Sequence, residues 1–473
     1  MRCGLFLALA CLFSAIIPVK AGDADLLPAE RLTQGNRPHV KVERVVSKQI
    51  ASKKKGEYEL EILVVYPPDW QPGDKRAFVV ASYGSGWLGH RSKASSHQKL
   101  MDRFLAKLAF MAVEHGVVGF VYDYRDGKEN EKLQIGDAKS AIRYARKNAA
   151  EYGIDPDRLI SAGGSSGGHL SASAVLFDDF NDPADDLSIP TRGALAHLSF
   201  NGVLSRPNAE TSPAHNLDKG FPPALVMFGD QDRWKRTSDD FVERAKKVPG
   251  QIVDYRVIPG AKHDFHLFDP AFHQTLGMVD EFLLSQNIVA FQPIIPTGGS
   301  VSLSPLAKAL EGSLQLRGKS SSVPVKFGCS SGGRVDSKGL FTSDGKPGVA
   351  KVWAEKAGEK RFGLIRVAQI IPGDSGTVES TGDYAIYLRF PQDGVRVQFE
   401  GVSISSNGKE LLEGVQLSLP EVKQGIYPIS SAAVHLDAGQ RLQLETAGEN
   451  SKASADAIVL VPATDGFLEE LRP

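Results

Sequence analysis

The sequence predicts an α/β domain with a mostly parallel sheet flanked by helices, followed by two all-β sandwich modules. Three observations carry this. Between residues 57 and 287, short apolar runs alternate with longer amphipathic stretches, the rhythm of strands covered by helices. One of those runs, in residues 158–170 (RLISAGGSSGGHL), breaks into a cluster of glycines and serines. From Phe291 onward the chain is rich in Val, Ser, Gly and Thr in short alternating runs, with turn pairs such as Gly299-Ser300, Asp344-Gly345 and Asn407-Gly408.

The strand candidates, in order, are YELEILVVY (58–66), AFVVASY (77–83), VVGFVYDY (117–124), RLISAG (158–163), ALAHLSF (194–200), ALVMFG (224–229) and DYRVIPG (254–260). Between them lie helix candidates such as 100–116 and 137–153, each ending in glycine, a residue suited to the left-handed turn that closes a helix. Phe272, Leu276, Val279, Phe282 and Leu283 recur at helical spacing and predict a last helix closing this domain. PIIPTGG (293–299) reads as the linker to the β modules.

The N-terminus carries Arg2, an apolar run from Leu5 to Ile17 and then Val19-Lys20-Ala21, the pattern of a secretory signal peptide cut after Ala21. The run is too short for a membrane span, and Cys11 sits poorly for lipid attachment. Two of the three cysteines fall in this segment, so the mature chain keeps Cys329 alone and forms no internal disulfide. A net charge of −1 with no basic stripe argues against nucleic acid as a partner, and no polybasic run argues for a membrane surface. The expected division is 1–21 signal peptide, 22–290 α/β domain, 291–372 and 373–473 β-sandwich modules.

Within the glycine-serine cluster the pattern G-x-S-x-G is read with Ser166 at its centre, on a sharp strand-to-helix turn flanked by Gly164 and Gly168. The following helix start favours a developing anion. After the second strand, YGSGW (83–87) forms a glycine turn whose backbone N–H groups can converge on a substrate oxygen. Trp87 either walls the pocket or packs beneath the loop. A serine nucleophile needs a base and an orienting acid. PPALVMFGDQD leaves Asp230 and Asp232 beyond a buried strand, and DYRVIPGAKHDFH supplies His263 and His266. Asp232 is chosen as the later residue of the G-x-x-D turn, and His263 because it follows its loop directly. The two histidines three apart also resemble a weak metal site, but three strand-end residues in this order favour a triad, and no cofactor or metal is expected. Five aspartates in FDDFNDPADDL (177–187) lack calcium-loop spacing and read as a solvated loop. The Pro-, Asn- and Ser-rich stretch up to Pro222 offers no long amphipathic helix, so no large lid is expected.

Together these stretches resemble the α/β-hydrolase superfamily, and within it the hormone-sensitive-lipase-like and carbohydrate-esterase-like serine esterases. Those enzymes commonly carry HGGGW, a Y-R pair, Y-G-x-D-P and S-A-G-G-H where this chain has YGSGW, DYRD (123–126), YGIDPDR (152–158) and SSGGH (165–169). The resemblance covers residues 57–287. It implies Ser166 as nucleophile, His263 as general base and acid, Asp232 as the residue orienting His263, and the N–H groups of Ser85, Gly86 and Gly167 as oxyanion donors. Tyr83 in place of histidine and Ser85 in place of glycine depart from the pattern and put loop geometry and substrate size in question.

V-D-x-x-G-L-F-T, from Val335, resembles bacterial immunoglobulin-like domains and is taken as a spacer. S-A-D-A-I, from Ser454, resembles golvesin and xanthan-lyase type carbohydrate-binding-like sandwiches, for which glycan or cell-surface binding and mere support are equally good readings. The function these features imply is an exported serine esterase acting on carboxyl esters, with acyl groups on polysaccharide as the expected substrate. A prolyl-oligopeptidase-like peptidase and an inactive glycan-binding protein are the alternatives, the first lacking any propeller-like repeat upstream. The α/β region is expected to fold and act by itself when cut near Asn287.

Overall fold

A computed structural model describes residues 40–52, 56–89, 94–127, 131–319, 322–391, 395–422, 425–430, 432–447 and 455–464. The expected signal peptide and its cleavage after Ala21 lie outside the described residues.

The α/β region is an eight-stranded sheet built from β1 (Val42–Ser52), β2 (Gly56–Val65), β3 (Arg76–Ser82), β4 (Val118–Tyr122), β5 (Ile154–Gly164), β6 (Ala196–Phe200), β7 (Ala224–Gly229) and β8 (Val253–Ile258). Their order across the sheet is β1-β2-β4-β3-β5-β6-β7-β8. From β4 to β8 every pairing is parallel, whereas β1, β2 and β4 pair antiparallel. The central strands β3, β4, β6 and β7 are buried at every position, which is why their sequences read as unbroken apolar runs. β1 escaped the sequence reading because VERVVSKQIAS is a polar edge strand: Val46 stays exposed, and Lys48 reaches Asp182 at 2.7 Å.

Helices cover the sheet: α1 (Ala94–His115), α2 (Glu131–Lys147), the single turn α3 (Ala149–Tyr152), α4 (Ser166–Leu176), α5 (Lys235–Ala245) and α6 (Ala271–Ser285). The expected helix over 137–153 is interrupted at Asn148, and Gly153 closes α3 with φ +62. The segment 204–222 carries three single 3₁₀ turns. The aspartate-rich loop is less solvated than its composition implies. Asp182 meets Lys48 and Arg125 (2.8 Å), and Asp185 meets Arg143 (2.9 Å).

Beyond the α/β region the expectation of β structure holds with one correction. Ser304–Leu316 is a helix, α7, packed through Leu306, Leu310 and Leu314; its Leu and Ala content at helical spacing was hidden among strand-like neighbours. The expected linker is also structural: Ile294–Pro296 pairs in parallel with Arg366–Ala368. Strand Glu359–Pro372 pairs with Gly348–Lys356 along most of its length and with Ala457–Pro462 at its end, so it belongs to both β regions. A single apolar core runs from the α/β sheet into Phe291, Ile295, Leu306, Val352, Ile365 and Val367. A separate core of Ile371, Ile386, Leu388, Phe399, Ile458 and Leu460 fills the last sandwich.

The β regions dock on one end of the α/β sheet. Val65 pairs with Gly119 beside the start of β4, so the loop leaving β2 lies where the parallel strands begin. There Asp69, buried, meets Arg76 (3.2 Å) and Arg366 (3.4 Å) and accepts from Thr464 N–H (3.1 Å). Ser430 Oγ donates to Pro68 O at 3.2 Å. Arg361 donates to Ser285 O (2.7 Å) at the end of α6 and to Ser313 Oγ (2.6 Å) on α7.

Four buried histidines, His115, His169, His197 and His266, each contribute stability that is lost as the pH falls. Burial pushes His115 and His169 down to about 4 and His197 down to about 3. Their unfolded value is about 6.5, so the folded state binds fewer protons over this window and stability rises with pH through it. Stability is complete above about pH 6.5 and is lost as the pH falls toward 4, by about 3 kcal/mol per histidine at most. Burial also raises Asp280 to about 7 and Glu114 well above the usual carboxylate range, which acts in the opposite sense over the same window. The test is therefore differential: His197→Asn is expected to flatten the dependence of melting temperature on pH between 7 and 4.5 relative to wild type, and an unchanged dependence would contradict a buried, neutral His197.

Candidate active site

The site forms where β3, β5, β6 and β7 end, opposite to the docked β regions. β5 is apolar through Ile160 and Ala162, then narrows to Gly163-Gly164 so that the chain can turn sharply into α4. The turn residue is Ser165, with φ 50 and ψ −122, a strained conformation that only an over-determined turn maintains. Among the described residues, four of the eight non-glycine positions with positive φ (Trp87, Ser165, Asn201 and Asp264) gather here, marking the site independently of its side chains.

His263 lies in the loop after β8 and joins two elements. Its Nε2 is 2.9 Å from Ser165 Oγ, and its Nδ1 is 2.7 Å from Asp232 Oδ2. Asp232 is buried and also accepts from Trp234 N–H (2.8 Å), whereas Asp230 is spent on Gly260 N–H (2.7 Å). Of the predicted residues the structure therefore brings Asp232 and His263 together. The serine they meet is Ser165, which corrects the assignment of the elbow to Ser166. G-x-S-x-G fits this chain in two registers, Gly163 to Gly167 and Gly164 to Gly168, and of the two only the first agrees with SSGGH (165–169) standing where the family has S-A-G-G-H, whose serine is the elbow residue.

Ser166 is the first residue of α4, with no exposed surface, and turns toward the YGSGW loop. Its Oγ accepts from Ser85 N–H at 3.0 Å and lies 3.3 Å from Tyr124 Oη. Tyr124 Oη is also 2.7 Å from Ser85 Oγ, and burial pushes its phenol up to about 12, so it remains a neutral hydroxyl. The loop lies so close to the elbow that a Cβ on Gly84 would fall 2.6 Å from Ser165 Cβ. Ser85 N–H is thus committed to Ser166. Gly167 is not the residue after the turn serine either. It lies one position further into the helix, where a Cβ would strike the Ser82 and Tyr83 carbonyls at 2.4 Å. The N–H that directly follows the turn serine is that of Ser166, at the first position of α4.

The departures from the family pattern have structural partners. Tyr83 donates to Asp123 Oδ1 (2.5 Å) and stacks on Tyr124 at 5.1 Å. Trp87 packs beneath the loop, 7% exposed; its Nε1 donates to His169 Nδ1 (3.1 Å), and Arg206 lies 3.9 Å over its ring. Two residues at the site were given no role from sequence: Tyr124, which the Y-R pair in DYRD flags, and Asn201, which no motif flags. Asn201 follows β6, is fully buried and contacts His263 Nδ1 at 3.0 Å. No cluster of three or more metal-ligating side chains occurs among the described residues.

Comparison with known proteins agrees with this architecture. Residues 63–197 match the BD-FAE family model. Esterase LipC of Mycobacterium tuberculosis is 28% identical over 251 residues, 46% of this chain and 60% of that protein. Endo-1,4-beta-xylanase B of Butyrivibrio fibrisolvens is 27% identical over 158 residues, 28% of this chain and 25% of that one. The chain spans between a quarter and three-fifths of the length of these curated relatives. Among solved structures, Thermogutta terrifontis esterase 2 phosphorylated by paraoxon is 32% identical, with 51% of this chain and 93% of that chain covered and a TM-score of 0.43. The strand order, the strained serine after β5 and these sequence likenesses have one common explanation: the chain belongs to the α/β-hydrolase superfamily of serine esterases.

Proposed function

We propose that this protein hydrolyses carboxyl esters through an acyl-enzyme on Ser165. The observation that carries the reading is the continuous path from Ser165 Oγ through His263 to Asp232, with contacts of 2.9 and 2.7 Å. His263 Nε2 takes the Ser165 proton as Oγ attacks the carbonyl carbon. The carbonyl oxygen gains the negative charge and faces the Ser166 N–H at the start of α4, with the Gly86 N–H of the YGSGW loop as the proposed second donor. Collapse of this adduct breaks the ester C–O bond, and His263 returns the proton to the departing alcohol. Water then attacks the acyl carbon by the same route, releasing the acid and restoring Ser165. Asp232 keeps the His263 proton on Nδ1, leaving Nε2 free to accept.

The finer reading is an exported enzyme that removes acyl groups from polysaccharide. The signal-peptide pattern before Ala21, the absence of a long lid helix over 204–222, the sandwich ending in S-A-D-A-I and the likeness to a xylanase support it. Paraoxon tests the nucleophile directly, because attack by a serine oxygen on phosphorus expels 4-nitrophenolate and leaves a diethylphosphoryl mark. Peptide mapping by mass spectrometry is expected to find that mark on Ser165. A mark on Ser166, or none with the esterase fully active, would overturn the assignment.

A further inference from the structure

We infer that His169 is a positioning residue: through Trp87 it holds the YGSGW loop in the shape that presents the Gly86 N–H to the substrate oxygen. The inference rests on the proposed catalytic reading and adds to it a residue outside the triad.

The neighbours of His169 leave it one tautomer. Its Nε2 lies 2.7 Å from the Thr211 carbonyl oxygen, which can only accept, so Nε2 carries the proton. Nδ1 is then free to accept from Trp87 Nε1–H at 3.1 Å, a group that can only donate. Both nitrogens are committed, in a side chain with no exposed surface. Burial first pushes the imidazole down to about 4, the Thr211 carbonyl and Glu131 acting upward and Arg206 downward, so at neutral pH the ring keeps this one form. A charged ring would set a second N–H against that of Trp87.

The loop needs such a tie. Gly86 and Trp87 both have positive φ, 63 and 62, and a bulky side chain keeps that backbone only where its surroundings hold it. Trp87 is held at three points. Gln134 Nε2 donates to its carbonyl oxygen at 2.9 Å, Arg206 lies 3.9 Å over its ring, and His169 accepts its indole proton. Arg206 pairs with Glu131 at the start of α2, and Thr211 Oγ1 donates to the same carboxylate at 2.9 Å, which fixes the segment under His169 as well. Of these groups His169 is the one that also belongs to the elbow: its backbone N–H donates to Ser165 O at 3.4 Å, one turn into α4. One residue therefore spans the nucleophile and the oxyanion loop. Without its acceptor nitrogen, Trp87 relaxes toward negative φ and carries the Gly86 peptide away from Ser165.

The test uses the full chain, a soluble nitrophenyl ester, and a trifluoromethyl ketone, whose carbonyl carbon takes the serine oxygen to give a stable tetrahedral oxyanion. Two substitutions each keep half of the arrangement: His169→Asn sets an acceptor oxygen where Nδ1 was, and His169→Gln a donor nitrogen where Nε2 was. His169→Gln is expected to lower kcat about thirtyfold with KM unchanged, a part of the about 100- to 1,000-fold that loss of an oxyanion donor costs. His169→Asn, which keeps the Trp87 bond, is expected to lose only about threefold. Trp87→Phe keeps a ring beneath Arg206 and should match His169→Gln, and the two together should cost no more than either alone, because they break one bond. Affinity for the ketone should fall in step with kcat. Proton NMR gives a readout independent of turnover: the Trp87 indole N–H, identified by its loss in Trp87→Phe, stays downfield in His169→Asn and moves upfield in His169→Gln. Equal losses in the asparagine and glutamine variants, additive losses in the double variant, or an unchanged kcat in Trp87→Phe would overturn the inference while leaving the triad intact. Paraoxon leaving Ser165 of the wild type unmarked would instead sink the catalytic reading on which it rests.

Discussion

Ser165→Ala is expected to lower kcat for a soluble ester by about 10,000-fold or more, while Ser166→Ala keeps activity within about tenfold. The first substitution removes the atom that would carry the acyl group, 2.9 Å from His263 Nε2. The second removes a hydroxyl that accepts from Ser85 N–H and touches Tyr124, loosening the loop while keeping the Ser166 backbone N–H. Released from Ser166, the Ser85 N–H becomes available to the substrate oxygen, which offsets part of the loss. Neither change should unfold the chain, and far-ultraviolet circular dichroism checks that. The reverse ranking, with Ser166→Ala inactive and Ser165→Ala near wild type, would return the elbow to Ser166.

A chain ending at Asn287 is expected to yield no soluble, active protein, contrary to what the sequence implied. The cut removes Ile288, whose carbonyl accepts from buried Arg158 at 2.8 Å, and Gln292, which donates to His115 O at 3.1 Å. It also strips Phe291, Ile295, Leu306, Ile365 and Val367 from the shared core. At about 1.5–3 kcal/mol for each large apolar side chain, the loss rivals the whole stability of an ordinary domain, about 5–15 kcal/mol. Asp69 keeps Arg76 but loses Arg366 and the Thr464 N–H. A chain ending at Pro372 retains the shared core, and soluble expression with a lowered melting temperature is expected of it. Wild-type melting and kcat in the 287-residue chain would show that the core divides cleanly after all.

Strands β3, β4, β6 and β7 were legible because burial on both faces writes itself as apolar runs such as FVVAS and LVMF. The acid and base were legible because each sits just past such a run. What failed was resolution within one residue: in GGSSGG two serines satisfy the same spacing, and only the longer match of SSGGH to S-A-G-G-H, together with the backbone turn, separates them. Asn201 was illegible for another reason. SFNG reads as an ordinary turn, and the Asn201 amide is placed by Phe200 O and Asp264 N–H, groups present in every residue. The Asp69–Arg366 contact spans 297 positions, a separation at which no local pattern speaks.

The strand Glu359–Pro372 also governs how far the enzyme can reach. Its first part pairs with Gly348–Lys356 and its last four residues with Ala457–Leu460, so one unbroken length of backbone runs through two sheets with no slack between them. A catalytic domain on a flexible tether sweeps a sphere whose radius grows with the tether, and its local concentration follows from that radius. Here the radius shrinks to the give of a paired strand. On the proposed reading, in which the last β region rests on an ester-bearing polysaccharide, the mouth around Ser165 would keep one height and one tilt above that surface. Each landing would expose the same narrow ring of ester groups, and progress across it would be paced by detachment and landing, whatever the speed of the chemistry.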